Sequence, residues 1–188
     1  MVASRSICIL RLLAGYTARH SQRKRKPEVP MDEKETDVAA YRRALSCFAT
    51  GVTVVTTLDG EGQRVGITVS SFNSVSLDPP LVLWSIGKDS LSYDAFVNAK
   101  SFVVNVLSTQ QSELCSRFAA KGSDKFVGLD CRSGIGGAPI LPDCAACFEC
   151  STEHLYAGGD HTIIVGRVEK FADREVDPLI IYRSDYLR

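Results

Sequence analysis

Apolar residues recur at helical spacing only over short stretches of this chain; alternation and continuous apolar runs govern the rest. Over residues 37–50, Val38, Tyr41, Leu45 and Phe48 fall three or four positions apart, with Arg42 and Arg43 on the other side. That predicts a helix capped by Asp37 and stopped by Gly51. The period then changes. Residues 52–57 are β-branched throughout, Asp59-Gly60-Glu61-Gly62 carries hairpin chemistry, and residues 65–72 predict the returning strand. Asp78-Pro79-Pro80 breaks the chain before an apolar strand over residues 81–86. Helices are predicted over residues 90–99 and 110–120, and between them residues 102–107 predict a strand buried on both faces. A Gly-rich loop over residues 133–142 precedes two long strands, about 145–156 and 161–171, joined at Gly158-Gly159. Residues 179–182 predict a last short strand. The strands run mostly in hairpin order without βα alternation, so a closed or nearly closed antiparallel barrel with peripheral helices is the economical arrangement.

Composition adds bounds. The chain has 188 residues, with 22 Lys+Arg against 22 Asp+Glu. That length suits one domain able to bury a core without disulfides. Zero net charge speaks against a dedicated nucleic-acid binder. No apolar run reaches the ~18–20 residues of a membrane-spanning helix. The neutral total hides an asymmetry: residues 1–30 hold seven basic residues and one acid, Glu28, whereas residues 31–188 hold 15 basic and 21 acidic ones. Residues 1–30 are therefore expected to be a basic tail, disordered or loosely helical, in front of a domain over residues 31–188. The acid-poor, Arg- and Ser-containing tail also fits an organellar presequence; upstream sequence before a start at Met31 is the preferred reading. Seven cysteines without a secretory signal point to free thiols in a reduced, cytoplasmic compartment.

Searches for familiar chemistry return little. There is no Walker A loop, no His-Glu-x-x-His and no Gly-x-Ser-x-Gly elbow. Gly60-x-Gly62 and Gly134-x-Gly136 lack the third glycine and the strand-to-helix setting of a dinucleotide fingerprint. Cys144-x-x-Cys147-x-x-Cys150 has the look of a metal signature, but in a strand residues three apart point to opposite faces. Cys144 and Cys150 share a face yet stand ~20 Å apart at ~3.3 Å per residue. No metal site is expected, and the cysteines are read as small apolar packing residues. Hydroxyls say more. Thr68-Val69-Ser70-Ser71-Phe72-Asn73-Ser74-Val75-Ser76 concentrates neutral polar side chains beside buried strands, with Thr68, Ser70, Phe72 and Ser74 on one face. Such a surface is either an edge strand running into a turn or a set of neutral donors for a phosphate or heteroaromatic ring. Ser85, Lys88 and Ser90 add donors at a strand end and helix start, where an N-terminus attracts anions. In Gly158-Gly159-Asp160-His161, the acid stands where it can fix the histidine tautomer.

Several colinear segments carry a likeness. Gly66-Ile-Thr-Val-Ser-Ser-Phe-Asn-Ser-Val-Ser-Leu-Asp-Pro-Pro-Leu-Val-Leu, Lys88-Asp-Ser-Leu-Ser-Tyr-Asp-Ala-Phe and Gly159-Asp-His-Thr-Ile-Ile-Val-Gly-Arg-Val resemble the short-chain flavin reductase family. These are NAD(P)H:flavin oxidoreductases with an FMN-binding split barrel. Phe48-Ala-Thr-Gly-Val-Thr-Val-Val-Thr-Thr, Phe102-Val-Val-Asn-Val-Leu and Arg117-Phe-Ala-Ala-Lys-Gly-Ser-Asp-Lys-Phe extend the likeness over roughly residues 37–186. The chain departs from the family at its end, where Tyr182-Arg183-Ser184-Asp185-Tyr186 replaces a Tyr-Arg-Gly-like turn.

The resemblance implies a mainly β protein: a six-stranded antiparallel Greek-key split barrel with peripheral helices, forming a homodimer with flavin near the interface. It implies that Thr68, Val69, Ser70 and Ser71 line the isoalloxazine and ribityl chain, and that Ser85, Lys88 and Ser90 sit by the flavin phosphate. Asn105 would approach the flavin from the next strand. Arg117, Lys125 and Phe126 would flank the ligand pocket, and His161, beside Asp160, is the family histidine at the nicotinamide site. The implied chemistry is hydride transfer from NADH or NADPH to FMN or FAD, in which the cofactors supply the reactivity and the protein supplies geometry. Reduced flavin would serve a separate acceptor such as the oxygenase of a two-component monooxygenase. Two other readings stand beside this one: a tightly held flavin reducing a substrate such as a corrinoid directly, and a flavin-binding module without activity.

Overall fold

The structure is a computed structural model that describes residues 37–122 and 124–187; the basic tail expected at residues 1–30 lies outside them. In chain order the elements are α1 (Val38–Leu45), β1 (Thr50–Gly51), β2 (Thr53–Leu58), β3 (Arg64–Val69), β4 (Asn73–Leu77), β5 (Pro80–Gly87) and α2 (Tyr93–Val97). They continue with β6 (Ser101–Val106), α3 (Ser112–Ala119), β7 (Arg132–Ser133), a 3-10 turn (Ile135–Gly137), β8 (Pro139–Ile140), β9 (Ala146–Gly158), β10 (His161–Asp173), β11 (Ile180–Tyr182) and β12 (Asp185–Leu187).

The main sheet is antiparallel, in the order β3-β2-β6-β9-β10-β5-β4. It holds seven strands where six were expected, and its ladder does not close, because β3 and β4 remain as edges. Six of those strands nevertheless send side chains into one cluster. Val55 of β2, Val82, Trp84 and Ile86 of β5, Phe102 and Val104 of β6, Cys150 of β9 and Ile164 of β10 are buried there, with Val65, Ile67 and Val69 of β3 packed against them. Trp84 meets Phe96 and Phe102 edge-on, with centroids 4.9 and 5.9 Å away. A second cluster lies on the other side of β2, where Phe118 and Cys115 of α3 cover Val52, Val54 and Leu107. A third, under the glycine-rich loop, joins Val103 and Cys147 to Ala138 and Ile140. Strand β6 is thus buried on both faces, as its unbroken apolar run requires.

Long-range pairing overrides local pattern at several points. Helix α1 keeps its expected cap, the Asp37 carboxylate accepting from Ala39 and Ala40 N–H at 2.9 and 3.0 Å. It ends at Leu45 rather than near Thr50, because Thr50 and Gly51 pair with Ile181 and Ile180 of β11. The apolar stripe of α1 covers no core: Val38, Tyr41 and Leu45 are 58, 57 and 55 % exposed, and Phe48 is 76 % exposed. The strand expected over residues 65–72 leaves the ladder at Val69, and the chain resumes as β4 against β5. Thr68, Ser70, Phe72 and Ser74 therefore do not share a face; Phe72 turns inward, its ring 5.5 Å from that of Phe148. The helix expected over residues 90–99 shrinks to the five residues of α2, and Ser90 lies in the turn before it, its N–H donating to Gly87 O. Strand β12 was not anticipated. Among the described residues no helix is long and apolar enough to cross a membrane.

The cysteines do not follow the single-strand parity expected of them: Cys144 lies ahead of β9, and Cys144, Cys147 and Cys150 enter three different clusters. Burial pushes the Cys144 and Cys150 thiols up to about 12. An unfolded thiol ionises near ~8.5. Below that pH both states keep the proton. Between there and about 12 the unfolded chain releases protons that the native chain holds, so these two thiols lower stability as pH rises. The melting temperature should therefore decline through alkaline pH. Cys144→Ala/Cys150→Ala should lose roughly 1–3 kcal/mol at neutral pH through cavity formation, yet decline less steeply. An equally steep decline in that variant would contradict the assignment.

Candidate functional site

The site starts from a missing side chain. Strand β3 alternates, with Val65, Ile67 and Val69 packed on the inner cluster and Gly66 and Thr68 toward α3. A Cβ built on Gly66 would stand 2.5 Å from Phe118 Cε1 and 3.1 Å from Phe126 Cζ. Glycine there lets both rings settle onto the strand, where they meet edge-on at 5.1 Å. Lys125 Nζ locks the arrangement by donating to Gly66 O at 3.2 Å and Phe118 O at 2.9 Å. Partial burial lowers its pKa, and one of its three N–H groups is left over. Above this floor opens a cavity of about 460 Å³, lined by residues 64–67, 89–92, 118–122 and 124–126.

Beside the cavity runs a seam. Strands β3 and β5 come within 8 Å of one another, Cα to Cα, without forming a ladder. Ser70 and Ser71 carry the chain across it. Ser71 Oγ accepts from Ser85 N–H at 2.9 Å and donates to Ser85 O at 3.3 Å, tying the crossing to β5. Further along β5, Gly87 pairs with His161. Lys88 is bound to the same turn, its N–H donating to Asp160 O at 3.0 Å and its Nζ to Gly159 O at 2.6 Å. His161 Nδ1 and Asp160 Oδ1 are 2.7 Å apart, and this hydrogen bond holds the Asp160 carboxyl below its ordinary pKa. A carboxylate accepts, so Nδ1 carries the proton and Nε2 is the free ring nitrogen. A Cβ on Gly87 would lie 2.8 Å from Asp89 Oδ1 and 3.6 Å from His161 Nε2. Asp89 also lines the cavity, so it links the cavity to the histidine end.

The expected residues sort into four groups. Ser90, Lys125 and Phe126 line the cavity. Ser70, Ser71 and Ser85 form the seam, and Lys88, Asp160 and His161 form its far end. Thr68 and Val69 lie in β3 itself: Thr68 Oγ1 donates to Cys115 O at 2.8 Å, while Val69 turns its side chain inward. Two residues stand elsewhere. Arg117 is exposed and braces a loop, donating from Nη1 to Val127 O at 3.1 Å. Asn105 is fully buried in β6. Its Nδ2 donates to Val54 O and Thr56 Oγ1, and its Oδ1 accepts from Leu141 N–H, so both amide donors are satisfied inside the core. As a contact from β6 to a ligand it is corrected to a core residue. Sequence reasoning missed Arg64, Gly66 and Asp89. A glycine inside a strand pattern was the available signal, since it marks a close approach.

An aromatic-floored cavity thus lies beside a hydroxyl-bearing seam that ends in a His–Asp pair. Comparison with known proteins gives the family: residues 45–188 match the flavin reductase like domain, and the chain belongs to that family. It is 49% identical over 140 residues to the FMN reductase (NADH) SmoA of Agrobacterium fabrum, covering 74% of this chain and 79% of that protein. It is 42% identical over 151 residues to HsaB, the reductase subunit of a flavin-dependent monooxygenase of Rhodococcus jostii, covering 80% and 77%. The chain spans about half the length of a probable flavin reductase of Rhizobium meliloti, 45% identical over 150 residues that make up 80% of this chain and 48% of that protein. Among solved structures, the NADH:FAD oxidoreductase SgcE6 of Streptomyces globisporus C-1027, in complex with NAD and FAD fragments, superposes with a TM-score of 0.76 at 36% identity, over 81% of this chain and 92% of that one.

The aromatic floor gives a direct test. Gly66→Ala must displace Phe118 or Phe126, an overpacking change of roughly 1–3 kcal/mol. A lower melting temperature, with weaker flavin binding measured below that temperature, is expected. Unchanged stability and unchanged binding would show that the rings do not need the glycine.

Proposed function

We propose that this chain is an NAD(P)H-dependent flavin reductase, taking hydride from NADH or NADPH to FMN or FAD and releasing reduced flavin to a separate acceptor such as a monooxygenase component. The observation that carries this is the continuity from the aromatic-floored cavity through Asp89 to His161. The residues present suit a flavin: Gly66 opens a cradle that a Cβ would fill, and the donors around it are hydroxyls and ammonium groups. Thr68, Val69, Ser70 and Ser71 would face the isoalloxazine and ribityl chain through backbone and hydroxyl groups. Ser85, Lys88 and Ser90 would hold the phosphate; Lys88 keeps two N–H groups beyond its bond to Gly159 O. Phe126 supplies an apolar wall, and Lys125 sets its position against β3.

When bound, the flavin supplies the hydride acceptor. The chain's own task is orientation. Asp160 keeps the His161 proton on Nδ1 and aims Nε2 along β5, where the imidazole positions the nicotinamide ring. A hydride needs no relay of protons. The curled sheet is read as a split barrel of six strands, with β4 outside it. The exposed apolar side chains of α1 and Phe48, with Leu155 and Tyr156 of β9, support a homodimer. Residues 1–30 are read as a tail outside the 31–188 domain, and the compartment as cytoplasmic.

NADH oxidation with and without added FMN or FAD tests the function. A rate that requires flavin and saturates with it supports a diffusible-flavin reductase. Oxidation without added flavin would assign a tightly held cofactor and a direct acceptor, and bound flavin that NADH fails to reduce would leave only a binding module. His161→Ala should raise the KM for NADH about tenfold, ~1.4 kcal/mol, with the flavin Kd unchanged; equal effects on both would remove it from the nicotinamide site. A chain starting at Met31 should keep full activity and run as a dimer in light scattering.

A further inference from the structure

The C-terminal hairpin is bound to the helix that walls the cavity. Strand β11 pairs with β1, and β12 folds back on β11, so the three make a small sheet of their own. Leu179, just ahead of β11, is buried in the same cluster as Val52, Leu107 and Phe118. Its carbonyl accepts from Val52 N–H at 3.0 Å, and its N–H donates to Leu107 O at 2.8 Å. Between β11 and β12 the chain turns through Arg183 and Ser184, which both stand at positive φ, 50° and 68°. Glycine or asparagine is the usual occupant of such positions. Other residues hold them only where the surroundings fix the hairpin. Arg183 N–H donates to Ser46 O and its Nε to Tyr182 Oη, both at 2.9 Å, which ties the turn to the end of α1. Tyr186 ties the returning strand to α3: its hydroxyl donates to Cys115 Sγ at 3.2 Å. That bond, with partial burial, raises the Tyr186 pKa, so the hydroxyl keeps its proton and remains the donor.

We infer that Tyr186 is a positioning residue for the flavin: the C-terminal hairpin is a clasp that, through Cys115, seats α3 and with it the Phe118 floor of the cavity. The inference rests on the flavin reading above and adds to it a residue outside the cavity lining. Cys115 is a junction. Its carbonyl accepts from Thr68 of β3 and its thiol from Tyr186 of β12, so the middle of α3 is held from two sides. Phe118 follows it by three positions, and both are buried, which puts them on one side of the helix. The fit of Phe118 over Gly66 is close, since a Cβ there would stand 2.5 Å from its ring. A small roll or slide of α3 therefore moves the ring off β3 and carries residues 119–122, which line the cavity, along with it. The two ends of the helix have their own anchors: Gln111 Nε2 donates to Pro142 O at 2.7 Å, and Lys125 holds Phe118 O. The histidine end of the site is built on β5 and β10 instead. The clasp thus acts on the flavin and not on the nicotinamide.

The test compares the full chain with Tyr186→Phe, Cys115→Ala and the double variant, by FMN titration, by NADH kinetics at saturating FMN and by melting temperature. Tyr186 is 38 % exposed, so Tyr186→Phe removes one hydroxyl without opening the core. It should raise the FMN Kd about fivefold and leave the KM for NADH within about twofold. Cys115→Ala, measured below its melting temperature, should lose at least as much. The double variant should bind FMN no more weakly than Cys115→Ala alone, as the two ends of one bond require. A lower melting temperature in Tyr186→Phe with an unchanged FMN Kd would overturn the clasp, leaving a bond that serves stability only. Losses that add in the double variant would overturn it as well, as would an FMN Kd and an NADH KM that rise together. Wild-type protein that binds no FMN or FAD would sink the flavin reading itself, whereas normal binding that Tyr186→Phe leaves untouched sinks the clasp alone.

Discussion

Two aromatic rings rest on strand β3 at the one position where it has no side chain. Phe118 comes from helix α3 and Phe126 from the loop beyond, so Gly66 fixes how both pack against the sheet. The same residue offers its carbonyl to Lys125, which also caps the Phe118 carbonyl near the end of α3. Helix position, cavity floor and loop anchor therefore share one contact. Thr68, two residues along, repeats the theme by bonding to the Cys115 carbonyl. On its other face β3 contributes Val65, Ile67 and Val69 to the inner cluster, so a shift of this strand would disturb core and cavity together.

Much of the architecture could be read from residue pattern because pattern and environment agreed. The apolar run of β6 needed two covered faces and has them. The long β9–β10 hairpin follows from its two extended runs and its glycine turn, with register shifts at Val165/Gly166 and Val168/Lys170. What the pattern could not show was set by distant partners. The end of α1 is decided by β11, some 130 residues away in sequence. The break after Val69 is decided by whether β2 or β5 offers the next ladder, and serines are compatible with either. Asn105 illustrates the limit within the site: an amide flanked by valines suits a ligand contact or a core network equally well, and only Val54, Thr56 and Leu141 distinguish them.

The cations show a second pattern. Those expected beside the ligand are each anchored to backbone carbonyls: Lys88 to Gly159, Lys125 to Gly66 and Phe118, Arg117 to Val127. A lysine held in this way has donors in reserve but little freedom, so a ligand meets a charge already in place instead of one that must be ordered on arrival. The His161–Asp160 pair and the Ser71–Ser85 tie act likewise across the seam. Pre-arranged neutral and cationic donors are what a catalyst needs when reactivity belongs to the molecules it binds.

The distribution of the three thiols has a consequence for the life of such a protein. Reduced flavin that meets dioxygen yields peroxide, and peroxide attacks thiolates far faster than thiols. Cys144 and Cys150 are out of water and remain protonated up to about 12, and each of the three cysteines is walled off in its own cluster. They are poor targets one by one, and no two of them can join while the strands hold. A chain working at the source of an oxidant keeps these sulfur atoms where the oxidant does not reach.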